Sequence, residues 1–146
     1  MTEQSYLHGT RQSEQERLEI QARLLGGASF LPPMRPGQRI LEVGCGTGAI
    51  AREVASWVTP GEVIGVDRAQ AQLQSARELA SKAGLTNLRF LEGDATRLPL
   101  PDGELDGAYC RFVLEHVADP VAAVREMSRV VRPETGFVCA YEWQNG

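Results

Sequence analysis

The sequence lacks a long apolar run. Its 146 residues are 42% hydrophobic and 23% charged, which is ordinary for a globular domain, but no stretch approaches the ~20 apolar residues of a membrane span. Residues 1–19, MTEQSYLHGTRQSEQERLE, are polar and contain no apolar segment of the kind found in signal peptides. We therefore expect a cytoplasmic protein that has no membrane as a partner.

The sequence also lacks paired cysteines and any cluster of positive charge. Cys45, Cys110 and Cys139 are odd in number and have no CxxC spacing, which argues against a disulfide framework and a structural metal site. We expect the three thiols to be buried as small hydrophobic groups. The net charge is −4, with no run of Lys or Arg that could neutralise the phosphates of a nucleic acid. We expect neither a metal nor a nucleic-acid partner.

The sequence does contain an alternation of short apolar segments with amphipathic ones. Strand-like segments alternate with segments of helical spacing, which is typical of βαβ units and of a parallel sheet covered on both faces. An additional helix is predicted over 14–25, because Ser13 and Glu16 have capping-box spacing. Asp119 followed by Pro120 predicts the start of a helix that runs to about Val131. The predicted strands are RILEV, EVIGV, LRFLEG, LDGAYC and GFVCAYEW.

Acidic residues follow three successive predicted strands. Glu42 lies at the end of the first strand, Asp67 at the end of the second, and Asp94 just past the third. Ligands of such sheets bind outside the carboxyl ends of the strands, near the point where the strand order reverses. We expect the three carboxylates to converge on one crevice.

A glycine turn follows the first strand. Gly44, Gly46 and Gly48 in LEVGCGTG let the backbone turn tightly and approach a ligand without a Cβ in the way. Glu42 stands at the entrance of this turn, where a carboxylate would oppose the binding of a phosphate. The ligand is therefore expected to be held by something other than phosphate.

The three motifs LEVGCGTG, GVD and GDA together resemble the class I S-adenosylmethionine-dependent methyltransferases over about residues 38–142. The resemblance implies an α/β fold with a Rossmann-like doubly wound parallel sheet of strand order 3-2-1-4-5. It implies residues 1–37 as an N-terminal helical lid segment and 38–146 as the cofactor-binding domain. Members of the family continue after the fifth strand with a helix and a β-hairpin, and we expect this C-terminal part to be missing here.

S-adenosylmethionine is the cofactor that the resemblance implies, and its sulfonium and ammonium both favour a nearby carboxylate. By resemblance, Glu42 would hold the ammonium, Asp67 the two ribose hydroxyls, and Asp94 the adenine amino group. The backbone at Ala95 would lie beside the adenine ring, and Gln72 or Leu73 would flank the ring from the second helix. The expected cofactor-binding residues are Glu42, Gly44, Cys45, Gly46, Gly48, Asp67, Arg68, Gln72, Asp94, Ala95 and Arg111.

Several of these residues have a purely structural alternative. Asp67 could be the N-cap of the following helix, and Asp94 could serve the turn that Gly93 begins. The Arg111 side chain could face solvent or a structural carboxylate. These alternatives remain open at the level of the sequence.

No catalytic base is identified by the sequence. His116, His8 and Tyr6 are the candidates, although methyl transfer from a sulfonium proceeds by alignment and a base is optional. His116 has the alternative of capping carbonyl groups at a helix end.

The sequence thus predicts methyl transfer to a small molecule. The segment after the fourth strand reads CRFVLEH and lacks the Asn/Asp-Pro-Pro-aromatic motif of amino-methyltransferases that act on nucleic-acid bases. An NAD(P)-binding dehydrogenase is one alternative, since GCGTGA also fits GxGxxG/A. A non-catalytic S-adenosylmethionine-binding subunit is another.

The fifth strand is apolar and lies at or near the edge of the predicted sheet. Phe137, Val138, Ala140 and Tyr141 would leave an edge that can pair with another chain. We expect self-association or a partner at this edge, which would also bury Trp143, and weak activity of the chain alone.

Overall fold

A computed structural model describes residues 16, 17, 19, 20 and 26–142. The strands are β1 (Arg39–Val43), β2 (Glu62–Asp67), β3 (Leu88–Glu92), β4 (Gly107–Arg111) and β5 (Phe137–Tyr141). The helices are α1 (Ala49–Val58), α2 (Gln70–Lys82) and α3 (Pro120–Val130), with a 3₁₀ helix at Leu114–His116. Residues 16, 17, 19 and 20 are helical, as predicted for 14–25; the other residues of the predicted range lie outside the described residues.

The five strands form one parallel sheet in the order β3-β2-β1-β4-β5. The predicted strand order is confirmed. From β1 the chain winds outward through β2 and β3, and it then crosses back to β4 on the other side of β1. The strand order therefore reverses between β1 and β4, where the crevice of such sheets opens at the carboxyl ends.

The core consists of one layer on each face of the sheet. One layer contains Ile40, Val63 and Tyr109 from the strands together with side chains of α1 and α2. The other contains Leu41 and Ile64 together with side chains of α3. Since alternate residues of β1 and β2 enter opposite layers, these strands read as nearly continuous apolar runs.

The segment between β3 and β4 is a loop, as predicted, and α3 holds it in place. Arg129 Nη1 donates to the carbonyl of Leu100 at 2.9 Å and to Asp102 at 2.6 Å. The Arg129 Nε donates to Glu126 at 2.6 Å, and Glu126 accepts from the Leu98 amide at 2.9 Å. These bonds satisfy backbone groups that a packed loop would otherwise leave unpaired.

The predicted start of α3 is confirmed. Asp119 Oδ1 accepts from the Ala122 amide at 3.0 Å, and Pro120 occupies the first turn. The helix ends at Val130, one residue before the predicted end, because Val131 forms a β-bridge with Leu105.

Among the helices that the structure describes, none has the length and apolar composition needed to cross a bilayer. In the same part of the chain, His, Cys, Asp and Glu side chains form no group that could hold a metal ion. The cytoplasmic location and the division at residue 37 stay predictions.

Candidate functional site

The glycine turn connects β1 to α1 through three left-handed residues. Gly44, Gly46 and Gly48 have φ of +70°, +55° and +82°, which L side chains rarely adopt. An added Cβ would lie 2.6 Å from Val113 Cγ2 at Gly44 and 3.2 Å from Phe90 Cζ at Gly48, whereas at Gly46 it would meet nothing within 4 Å. Gly44 and Gly48 thus serve packing as well as conformation, and Gly46 borders open space.

Asp67 ties the end of β2 to this turn. Its Oδ2 accepts from the Gly46 amide at 2.8 Å, and its Oδ1 accepts from the Ala69 amide at 2.9 Å. The N-cap of α2 is Ala69, so Asp67 lies two residues before the position that the N-cap alternative requires. The carboxylate fixes the turn, and each oxygen retains capacity for a further donor.

A cavity of about 310 Å³ opens at the carboxyl ends of the strands. Its volume lies at the lower end of the range for small-molecule sites. Five residues predicted from the sequence line it: Gly44, Asp67, Arg68, Ala95 and His116. Those that do not line it are Glu42, Cys45, Gly46, Gly48, Gln72, Asp94 and Arg111.

Sequence reasoning missed the apolar wall of this cavity. Phe112, Val113 and Val117 line it after β4, together with Val43, Val66 and Gly93. Phe112 has φ +57°, and such values at bulky residues occur preferentially at functional sites. Its amide donates to the Tyr141 carbonyl at 2.8 Å. Nothing in the local sequence signals this conformation.

Glu142 was also missed, although it follows a strand as the predicted carboxylates do. Its Oε1 accepts from the amides of Val113 at 3.2 Å and Leu114 at 3.1 Å. Its Oε2 is buried without a hydrogen-bond partner among the residues that the structure describes. Glu142 therefore holds the segment that carries Val113 along the cavity.

Glu42 is buried beneath the glycine turn with 4% of its surface exposed. Its Oε1 accepts from the Tyr109 hydroxyl at 3.2 Å. Burial raises the pKa of Glu42 from 4.5 to about 8, and the Tyr109 hydrogen bond and the charge of Arg111 offset only part of this rise. At neutral pH this acid is mostly protonated.

Cys45, Asp94 and Gln72 are three of the predicted cofactor residues that do not line the cavity. Cys45 is buried, as predicted, and burial raises the pKa of its thiol. Asp94 is exposed, and its Oδ1 accepts from the amide and hydroxyl of Thr96, both at 2.8 Å. These hydrogen bonds lower the pKa of Asp94. They also give the side chain the role in the local turn that is the structural alternative to binding adenine. Gln72 Oε1 is buried without a partner in the described part of the chain.

Arg111 lies on the sheet face opposite α3 and contacts the segment before β1. Its Nη1 donates to the Gly27 carbonyl at 3.2 Å. The guanidinium carbon lies 5.6 Å from the centroid of the Phe30 ring and 5.5 Å from that of Phe112, within cation–π distance. The structural alternative predicted for the Arg111 side chain was contact with solvent or with a carboxylate. In the structure it contacts a carbonyl group and two aromatic rings instead.

Of the three candidate bases, the structure places His116 at the cavity. It is the last residue of the 3₁₀ helix, its side chain is exposed, and its Nε2 lies 3.3 Å from Glu115 Oε1. Tyr6 and His8 lie outside the described residues, as does Trp143. A catalytic role for any of the three candidate bases stays a prediction, and so does the burial of Trp143.

The chain is similar to known methyltransferases. A family model described as a methyltransferase domain matches residues 41–139. An uncharacterized methyltransferase of Schizosaccharomyces pombe is 41% identical over 119 residues, which cover 77% of this chain and 42% of that protein.

Two further relatives carry more informative names. The ubiquinone/menaquinone biosynthesis C-methyltransferase UbiE of Ectopseudomonas mendocina is 38% identical over 105 residues, covering 70% of this chain and 41% of that protein. The solved structure of an S-adenosylmethionine-dependent methyltransferase from Mesorhizobium loti has a TM-score of 0.65 and 28% identity, covering 76% of this chain and 49% of that one. The chain thus spans less than half the length of each of these three relatives.

Proposed function

Because the chain belongs to the methyltransferase domain family, we propose that it binds S-adenosylmethionine in the cavity beside the glycine turn and serves methyl transfer to a small molecule. One observation carries this proposal: the open side of Gly46 and the carboxylate of Asp67 lie together at the strand-order reversal. The residues fit the cofactor, because the turn leaves room for a ligand at Gly46 and each oxygen of the neighbouring Asp67 carboxylate retains capacity for a further donor.

S-adenosylmethionine supplies a methyl group that its sulfonium activates for in-line displacement. The protein's contribution is then mainly to hold the two reactants in line, which can supply ~7–11 kcal/mol of the barrier. Asp67 would accept from the ribose hydroxyls with the lone pairs that the Gly46 and Ala69 amides leave available. Phe112 and Val113 would exclude water from the β4 side of the site.

A small-molecule acceptor is supported by the name of the UbiE relative and by the net charge of −4, which disfavours nucleic acid. The acceptor would approach from the β4 and β5 side, since the cofactor residues occupy the ends of β1, β2 and β3. Phe112, His116 and Val117 lie on that side of the cavity.

Calorimetric titration distinguishes the proposed function from the dehydrogenase alternative. We expect the wild-type chain to bind S-adenosylmethionine and not NAD. Asp67→Ala is expected to lower the affinity for S-adenosylmethionine about tenfold or more, because lost hydrogen bonds and poorly paired hydroxyls cost roughly 1–3 kcal/mol. Glu78→Ala, at an exposed position of α2, is the control and keeps wild-type affinity. NAD binding without S-adenosylmethionine binding contradicts the proposal.

The β5 edge is the proposed contact for another chain, in the first instance a second copy. In the part of the chain that the structure describes, β5 is the last strand of the sheet on its side, and Val138 and Tyr141 are 37% and 46% exposed. We expect light scattering to show a mass that rises with concentration and falls again in Val138→Lys, since charge on an edge strand opposes pairing. Val121→Lys, at an exposed valine of α3, is the control. A wild-type monomer at all concentrations contradicts self-association.

A further inference from the structure

The helix that contains Glu19 contacts the glycine turn directly. Glu19 Oε1 accepts from the Thr47 hydroxyl at 2.5 Å, and Glu19 Oε2 accepts from Arg52 Nη2 at 2.6 Å. Arg52 Nη1 donates in turn to the Thr47 carbonyl at 2.8 Å. Glu19, Thr47 and Arg52 thus form a closed set of three hydrogen bonds, which we call the Glu19 clamp.

The Glu19 clamp is shielded from solvent. The side chains of Arg52 and Glu19 are 18% and 15% exposed, and Thr47 is 5% exposed. A partly buried ion pair is screened by salt much less than one on the surface. Both carboxylate oxygens have donors, so the geometry of the clamp is well defined.

Thr47 lies inside the turn, between Gly46 and Gly48. Asp67 holds the turn at the Gly46 amide, whereas the Glu19 clamp holds it one residue later, at the hydroxyl and carbonyl of Thr47. Glycine adopts many backbone conformations at little steric cost, so Gly46 and Gly48 leave the conformation of the turn to be fixed by contacts from outside it. The turn therefore depends on a contact from a segment 28 residues earlier in the chain.

We propose that Glu19 is a positioning residue for the cofactor-binding turn, so that the helix containing it forms part of the cofactor site. This proposal rests on the proposed function. By thermodynamic reciprocity, if the helix contact raises the affinity for the cofactor by a given factor, the bound cofactor raises the equilibrium constant for forming that contact by the same factor. Cofactor binding would then secure this helix against the turn before an acceptor is methylated.

Matched variants measure the effect of the clamp on cofactor affinity. Glu19→Ala removes both carboxylate contacts, and Glu16→Gln removes an exposed charge of the same helix while keeping a side chain that suits the predicted capping box. We expect Glu19→Ala to raise the dissociation constant of S-adenosylmethionine about tenfold, within the usual range of coupling between sites, and Glu16→Gln to leave it unchanged. Equal affinities in the two variants overturn the proposal.

Variants of Thr47 provide a test that leaves the helix intact. Thr47→Val removes the hydroxyl, whereas Thr47→Ser keeps it, so the first should weaken cofactor binding like Glu19→Ala and the second should bind like the wild type. Equal affinities of Thr47→Val and Thr47→Ser overturn the proposal. A role in folding alone would lower the melting temperature and leave both affinities at the wild-type value.

Hydrogen exchange of the ligand-free protein separates the failure of this proposal from that of the proposed function. We expect the amides of residues 44–52 to exchange faster in Glu19→Ala than in Glu16→Gln. If the wild-type chain does not bind S-adenosylmethionine, the proposed function fails, and exchange still tests the clamp. Equal exchange in the two variants overturns the positioning role.

Discussion

Replacing Gly46 with valine is expected to abolish cofactor binding at concentrations that saturate the wild-type protein. The glycine has φ +55° and its side-chain direction meets no protein atom within 4 Å. A valine would fill the open space beside Gly46, next to the Asp67 carboxylate that is proposed to bind the ribose, and it would also strain the backbone by roughly 1–2 kcal/mol. We expect the dissociation constant of S-adenosylmethionine to rise at least about 100-fold, which corresponds to ~2.7 kcal/mol.

Gly84→Val is a control matched in backbone geometry. Gly84 follows α2, has φ +71°, and likewise has no atom within 4 Å of an added Cβ. Both valine variants should lose a similar amount of stability in denaturant unfolding, whereas Gly84→Val should keep wild-type cofactor affinity. Equal loss of affinity in the two variants would mean that strain, rather than the occupied space, explains the result for Gly46→Val.

The strands and the glycine turn were predictable because their signals are local. Apolar runs marked the buried strands, and Asp119 with Pro120 marked the start of α3. The strand order followed from the resemblance to a family rather than from the residues themselves. The order is confirmed.

The contacts around the cavity were less predictable, since they join residues that are distant in sequence. The Glu19 clamp connects positions 33 residues apart, and Glu142 reaches back 29 residues to the Val113 amide. Neither pair has a spacing rule, because each depends on how separate elements pack. The left-handed conformation of Phe112 likewise depends on its tertiary surroundings and not on its residue type.

The position of Glu42 was predictable, but its protonation state was not. The sequence places a carboxylate at the end of β1, and only the structure shows it enclosed beneath the turn with 4% exposure. Arg111 and Asp67 exert opposite electrostatic effects on it, and desolvation is larger than either. The cofactor-free protein therefore contains an acid that a nearby cation would induce to ionise.

The first consequence of the buried Glu42 concerns stability. Its pKa is about 8 in the folded protein against an ordinary value of 4.5, so between these values the folded state binds more protons than the unfolded one. The free energy of unfolding should then fall as the pH rises from about 4.5 to about 8, by as much as a few kcal/mol at ~1.36 kcal/mol per pKa unit. Glu42→Gln, which resembles the protonated acid and still accepts from Tyr109, should lack this decrease. If the free energy of unfolding decreases equally with pH in the wild type and in Glu42→Gln, the decrease does not come from Glu42.

The second consequence concerns the cofactor. If the ammonium and sulfonium of S-adenosylmethionine favour ionised Glu42, binding at pH 7 must release most of one proton from it. Calorimetric titrations in phosphate and in Tris, whose ionisation enthalpies differ, measure that release. We expect the wild-type protein to release more protons than Glu42→Gln by close to one per cofactor bound. Glu62→Gln, on the first residue of β2, is the control and should release as many protons as the wild type. Equal proton release in the wild type and Glu42→Gln would show that Glu42 stays protonated beneath the bound cofactor, and the charge of the cofactor would then be compensated by other groups.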